Sequence, residues 1–362
     1  MGQRANIIVI QDGKSDLYYC HWCAVSLPAD LFWGPEPAVA FARNQLDARS
    51  LGPEIPMRRP DISSRSADKP REPGTEGWLD DQWAEGGALI DLDDRVLVLF
   101  GGDDVLWDVP LRRLYLELLR QTWVGWEVRW AHLGILDLAD YVGLPRRLVM
   151  SRGEPDALPL PALVDPQRPA TIGSVLLENQ EVRLFPLRGV VLQFLCAGPK
   201  LVESAREELA YAFMPLDEWE SWLPKGGFHI DVARQQVELW SAYTSSKDPE
   251  ALLPGKWPGW RIHWLRDDFE AQLERLGDRL RWPWRSIDTE LSWVQSMLMS
   301  ESGPAPTEAT MRAMLEQAHR RGQEPELSPT VGADRQLLPT ADLRKQVFEQ
   351  AVTNWRRRQQ TG

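Results

Sequence analysis

The sequence predicts an α+β fold in which a module of hairpin, helix, hairpin, strand and helix occurs twice, followed by a C-terminal helical extension. Three observations carry this. The phrase Trp123-Val124-Gly125-Trp126-Glu127-Val128-Arg129-Trp130 returns as Trp257-Pro258-Gly259-Trp260-Arg261-Ile262-His263-Trp264, with a Trp-x-Gly-Trp-x-x-x-Trp frame intact. Gly86-Gly87-Ala88-Leu89-Ile90-Asp91-Leu92 returns as Gly226-Gly227-Phe228-His229-Ile230-Asp231-Val232, and a glycine follows each Trp phrase, at Gly143 and Gly277. Shared phrases in one order point to an internal duplication. Hairpins inside each copy favour antiparallel or mixed sheets packed by helices.

Asn6 to Ile10 is apolar and β-branched, Asp12-Gly13 is a turn signal, and Leu17 to Trp22 returns as a second strand. Trp33-Gly34-Pro35 opens a helix expected to run to about Leu46, with Pro near the first turn, where a missing N–H costs little. From 47 to 77 the chain is rich in Pro, Arg, Ser, Asp and Glu and reads as a flexible insertion. Ala88 to Leu92 and Val96 to Phe100 form a hairpin, Leu111 to Thr122 a helix, Trp126 to Trp130 a strand, and Ile135 to Val142 a helix stopped by Gly143 and Pro145.

The first module spans 1–150 and a Pro-rich linker 151–171. The second, over 172–282, repeats the programme. Val175 to Leu177 and Val182 to Leu184 make a hairpin, Val190 to Cys196 reads as a further apolar strand, and Gly198-Pro199 opens a helix to about Phe213. Phe228 to Val232 and Val237 to Tyr243 form the second hairpin, Arg261 to Leu265 a strand and Asp267 to Leu276 the closing helix. The extension, 283–362, carries helices at Ile287 to Met299, at Thr307 to His319 and from Thr340 to Arg358.

A net charge of −12 argues against nonspecific binding to a phosphate backbone. The 18 Trp are costly to expose, so most belong to core or interface. No apolar run approaches the length of a membrane helix, no secretory signal is visible, and Asn6 breaks the myristoylation pattern, so a reducing cytoplasm is the expected home.

Cys20-His21-Trp22-Cys23 has Cys-x-x-Cys spacing, but no second pair exists to close a zinc site and the other copy lacks it; the two read as packing residues. Asp91, Asp93, Asp94, Asp103, Asp104 and Asp108 lie close in sequence. With His132, residues Asp91, Asp93, Asp103 and Asp104 could hold Mg²⁺ in a metal-assisted hydrolase acting on a nucleotide or phosphoester. Turn chemistry explains the same carboxylates, since Asp accepts backbone N–H groups in hairpin loops, and Asp91 recurs as Asp231. His229 and His263 could face each other on neighbouring strands of the second module, but such residues are more often satisfied core histidines. No nucleophile elbow, phosphate loop or dinucleotide fingerprint is present.

Recurrence assigns the Trp-x-Gly-Trp frame to structure. It leaves Trp33, Trp107, Trp240 and Trp284, with Asp103 and Asp104, as the candidate partner-binding residues. The function expected from these features is non-enzymatic and cytoplasmic: binding another protein with a basic surface, with neither membrane nor direct nucleic-acid contact. Its concrete form is a bacterial toxin-neutralising immunity protein. No cofactor is implied on this reading.

Overall fold

In the computed structural model, which describes residues 4–20, 23–47, 72–80, 82, 84–102, 105–150, 153–160, 169–219, 223–244, 247–300 and 339–361, the chain opens as its turn chemistry requires. Asp12 and Gly13 both take positive φ, 53° and 69°, and the turn joins β1 (Arg4–Gln11) to β2 (Lys14–Cys20). Positive φ at both central residues twists the turn in the sense of the strands it connects.

The fold is α+β, and the chain divides into two compact units. One comprises Met1–Asp103, Arg113–Arg152 and Ser292–Gly362; the other comprises Asp104–Arg112 and Gly153–Leu291. Asp104–Arg112, expected from the sequence within the first module, thus belongs with the second unit.

In the first unit β1 and β2 are followed by α1 (Leu27–Leu31), α2 (Pro35–Arg43), β3 (Leu46–Asp47), β4 (Ala84–Asp91) and β5 (Val96–Phe100). Then come α3 (Val109–Thr122), whose first turn counts with the second unit, β6 (Glu127–Trp130) and α4 (Ile135–Tyr141). The sheet order is β3-β2-β1-β4-β5-β6. Both hairpins are antiparallel, whereas β1–β4 and β5–β6 run parallel.

The second unit contains β7 (Thr171–Leu176), β8 (Val182–Leu187), α5 (Val191–Leu195), α6 (Lys200–Glu207), β9 (Met214–Pro215), β10 (Gly226–Asp231) and β11 (Gln236–Ser241). It continues through α7 (Pro249–Lys256), β12 (Arg261–Trp264), α8 (Glu270–Leu276) and β13 (Leu280–Arg281). Its main sheet is ordered β12-β11-β10-β7-β8, with two antiparallel hairpins and parallel β7–β10 and β11–β12 pairs. Strand for strand this is the arrangement β6-β5-β4-β1-β2. The helices α9 (Ile287–Met299) and α10 (Ala341–Thr361) complete the described chain.

The repeated phrases do the same local work in both units. Trp123 and Trp257 are fully buried, and their indole N–H groups donate to the Leu31 and Leu195 carbonyls at 2.9 and 2.7 Å. Each thereby ties the turn before the last strand to the end of a short helix. Trp126 and Trp260 pack edge-on against them at 4.8 and 4.9 Å, across a turn where Gly125 and Gly259 take φ near 80°. Asp91 accepts the amides of Asp93 and Asp94, and Asp231 that of Arg234, which closes both second hairpins. At Gly87 a Cβ would strike the Phe100 ring. At Gly227 it would overlap Gln272 Oε1 and the Trp240 indole, so both Gly-Gly strands need the absence of a side chain.

Several elements differ from expectation. Val190–Cys196, read as a strand, contains helix α5, because Val191, Phe194 and Leu195 bury one face and the Gln193 side chain takes the Val190 amide. The α2 helix ends at Arg43, because Leu46–Asp47 is drawn into the sheet beside Tyr18 and Tyr19. Helix α6 ends at Glu207, where Arg183 donates to the Arg206 and Glu208 carbonyls at 2.6 and 2.7 Å. Cys20 and Cys23 are joined as a disulfide, Cα–Cα 5.8 Å, and are not merely packing residues. The expected helix at 307–319 and residues 48–71 of the flexible insertion lie outside the described residues. Among the described residues no helix is long and apolar enough to cross a membrane.

Candidate functional site

Asp91 and Asp93 serve the turns. Besides the hairpin amides, the Asp91 carboxylate accepts the Tyr141 hydroxyl at 2.9 Å; burial and this bond hold the Tyr141 hydroxyl well above its ordinary pKa. Asp93 reaches the other hairpin and accepts the Asp12 and Gly13 amides at 2.9 and 2.8 Å. Of the four carboxylates of the hydrolase reading, Asp91 and Asp93 therefore hold turns. His132 is half-buried after β6, and Asp103 and Asp104 lie outside the described residues. Among the described residues no group of three or more His, Cys, Asp or Glu is disposed to hold a metal ion.

The four candidate tryptophans separate by burial. Trp33 and Trp240 are core residues, the latter only 1% exposed, so neither can present a surface. Non-recurrence between copies says nothing about which side of a strand an indole occupies. Trp107 is half-buried against the Tyr243 ring at 5.2 Å, with Lys225 Nζ 4.6 Å from its centroid. Trp284 is 65% exposed while its ring lies 5.9 Å from Phe269. Trp107 and Trp284 are each one residue from a partner of the Asp108–Arg285 ion pair, which closes at 2.6 Å within the second unit. Trp284 shares that unit with the exposed Phe213 and Ile287, and Arg281 lies over the Phe213 ring at 5.1 Å.

The second unit also contains a polar row that sequence reasoning did not assemble. Strand register aligns Ser174, His229, Glu238 and His263 across β7, β10, β11 and β12. β11, carrying Glu238, runs between the strands of His229 and His263, and His229 is a buried core histidine in contact with Ser174. In the first unit the same positions hold Ile8, Leu89, Val98 and Arg129. Ser174, His229 and Glu238 are buried and His263 is exposed.

Helix α8 closes over the row. Gln272 Oε1 accepts the Trp240 indole N–H at 2.7 Å, which fixes the orientation of the amide. Its Nε2 then faces the Ile172 and Phe228 carbonyls and Ser174 Oγ at 2.8–3.1 Å. Arg275 pairs with Glu238 through two guanidinium nitrogens. Ser174 Oγ lies 3.0 Å from both the Phe228 carbonyl and His229 Nδ1, and the His229 tautomer decides which of them takes the hydroxyl proton. Burial, reinforced by the Arg275 charge, lowers the His229 pKa against the pull of Glu238 and Asp231.

Set against known protein families, curated proteins and solved structures, the chain matches none. Its function must be argued from the sites themselves. Trp284 is exposed and Trp107 half-buried, whereas Ser174, His229 and Glu238 of the polar row are buried and have apolar residues at the matching positions of the first unit. The sequence signal for that network was a substitution between the copies, His229 where the first has Leu89.

Proposed function

We propose that this chain is a non-enzymatic protein-binding protein whose binding face is the aromatic edge of the second unit around Trp107 and Trp284. The observation that supports this is Trp284, 65% exposed in a chain where most described indoles are buried or half-buried. Its ring rests against Phe269, so it is ordered in advance, and ordered aromatic anchors contribute disproportionately to interfaces. The net charge of −12 favours a partner with a basic surface. A toxin-neutralising immunity protein is the concrete form of this reading. Duplication of one module is our account of the common sheet order.

The test is capture from a lysate of the cells that make the protein, with the full chain immobilised. A stoichiometric partner held by the wild type and lost with Trp284→Ala, at unchanged melting temperature, supports the proposal. Repeated captures that return no stoichiometric protein would end it.

A further inference from the structure

The polar row lies under α8, and α8 is linked to the proposed binding face. Gln272 takes the Trp240 indole; Trp240 packs on Phe269 at 5.8 Å and on Trp282 at 6.3 Å. Phe269 immediately precedes α8, stacks on Trp282 at 4.7 Å and supports Trp284. From His229 to Trp284 the contacts are continuous, and all lie in the second unit.

We infer that His229 is a pH-sensitive latch for α8, whose protonation loosens the helix and with it the aromatic surface that carries Trp284. The groups facing His229 decide the sign. From β7 it meets Ser174, which is uncharged; on its own strand Asp231 lies two residues along; from β11 come Glu238 and Gln236, and beyond them His263 on β12. From α8 the cationic Arg275 acts on it, and Gln272 donates to the same Ser174 hydroxyl that His229 meets. A second proton on the imidazole makes it a cation inside a buried site. The new charge would stand near Arg275 and compete with it for the Glu238 carboxylate. Opening α8 relieves both costs, because water then reaches the imidazole and separates it from Arg275.

A histidine whose folded pKa lies below its unfolded value contributes stability that is whole above the unfolded pKa, about 6.5, and is lost as pH falls toward the folded one. Protonation therefore selects the state with α8 undocked. The first unit cannot respond in this way, because Leu89 occupies the matching position.

The consequence for partner binding rests on the proposed function, but the latch is tested on the full chain alone. Amide hydrogen exchange over residues 270–276, corrected for intrinsic rates, is followed from pH 7.5 to 5.0 in the wild type and in His229→Gln. The expected result is a several-fold rise in exchange on acidification in the wild type and a flat profile in the variant. A flat wild-type profile, or an equal rise in both proteins, overturns the inference. If the variant does not fold, imidazole titration by NMR in the wild type decides. A His229 that protonates while α8 stays equally protected refutes the latch, and exchange that rises with its protonation upholds it. A failed partner capture would leave these readouts untouched.

Discussion

Arg285 reaches Asp108 across 177 residues of sequence and donates to its Oδ1 at 2.6 Å. The same oxygen accepts the Leu111 amide at 3.1 Å, so a single carboxylate caps the first turn of α3 and holds the segment bearing Trp284. Glu290 lies 3.7 Å from the same guanidinium, and burial raises its carboxyl pKa despite that charge.

Asp108→Ala removes the cap and leaves a mostly buried guanidinium without its nearest partner, and should destabilise the protein by about 3 kcal/mol. Arg285→Met should cost less, about 1–2 kcal/mol, because it removes the charge along with the bond. Denaturant unfolding of both single variants and the double variant closes a thermodynamic cycle. A coupling of about 1–3 kcal/mol is expected for groups in direct contact, and strict additivity would show that the ion pair contributes nothing.

Trp123 and Trp257 make the same bond in the two units, from indole N–H to the carbonyl that ends a short helix. Trp123→Phe and Trp257→Phe keep most of the buried ring and strand the carbonyl, so each should cost about 1–3 kcal/mol. Equal losses, within about 1 kcal/mol of each other, are expected from equal environments. Thermal unfolding of the two variants compares them directly, and a loss confined to one would show that the repeated phrase serves different ends.

How much of this was legible in the sequence depends on how local the cause was. The Asp12-Gly13 turn and the Trp-on-Trp contact across Gly125 act within a few residues, and both could be read before any coordinates, whereas the bond from Trp123 to the Leu31 carbonyl could not. Val191–Leu195 could not, since a run of five residues, four of them apolar, fits a strand or a buried helical turn equally well. The Ser174–Gln272 contact spans 98 residues and follows no motif spacing. Nor could burial of Trp33 and Trp240 be inferred from their failure to recur, because exposure depends on which face of an element meets the core. The carboxylates of Asp91 and Asp93 were visible as turn-formers or ligands, and only their amide partners separate the two roles.

Trp240 and Trp284 should respond oppositely to truncation. Trp240→Ala empties a packed site beside Phe269 and Trp282 and frees the Gln272 amide, a loss of about 3–5 kcal/mol. Trp284→Ala removes a mostly exposed ring and should stay within about 0.5–1 kcal/mol of wild type. Urea unfolding of each variant makes the comparison. A large loss at Trp284 would mean that the ring serves the fold of the second unit, and would weaken its place as an anchor for a partner.

The Cys20–Cys23 disulfide closes a loop containing only His21 and Trp22. A loop that short restricts the unfolded chain weakly, so reduction should lower stability by only about 2 kcal/mol by the chain-entropy argument. Differential scanning with and without a phosphine reductant should show a downward shift of a few degrees. Thiol counting by mass spectrometry supplies the independent check. The unreduced protein should offer one alkylatable cysteine, Cys196, and the reduced protein three. Burial pushes the Cys196 thiol above its ordinary pKa, more strongly than the charge of Lys256 draws it down. Its alkylation by iodoacetamide should therefore be slow at neutral pH and still be accelerating above pH 8, because only the thiolate reacts. Three labelled cysteines without reductant would mean that Cys20 and Cys23 are free thiols in solution, and a rate that levels off by pH 8 would mean that Cys196 is not held in an apolar setting.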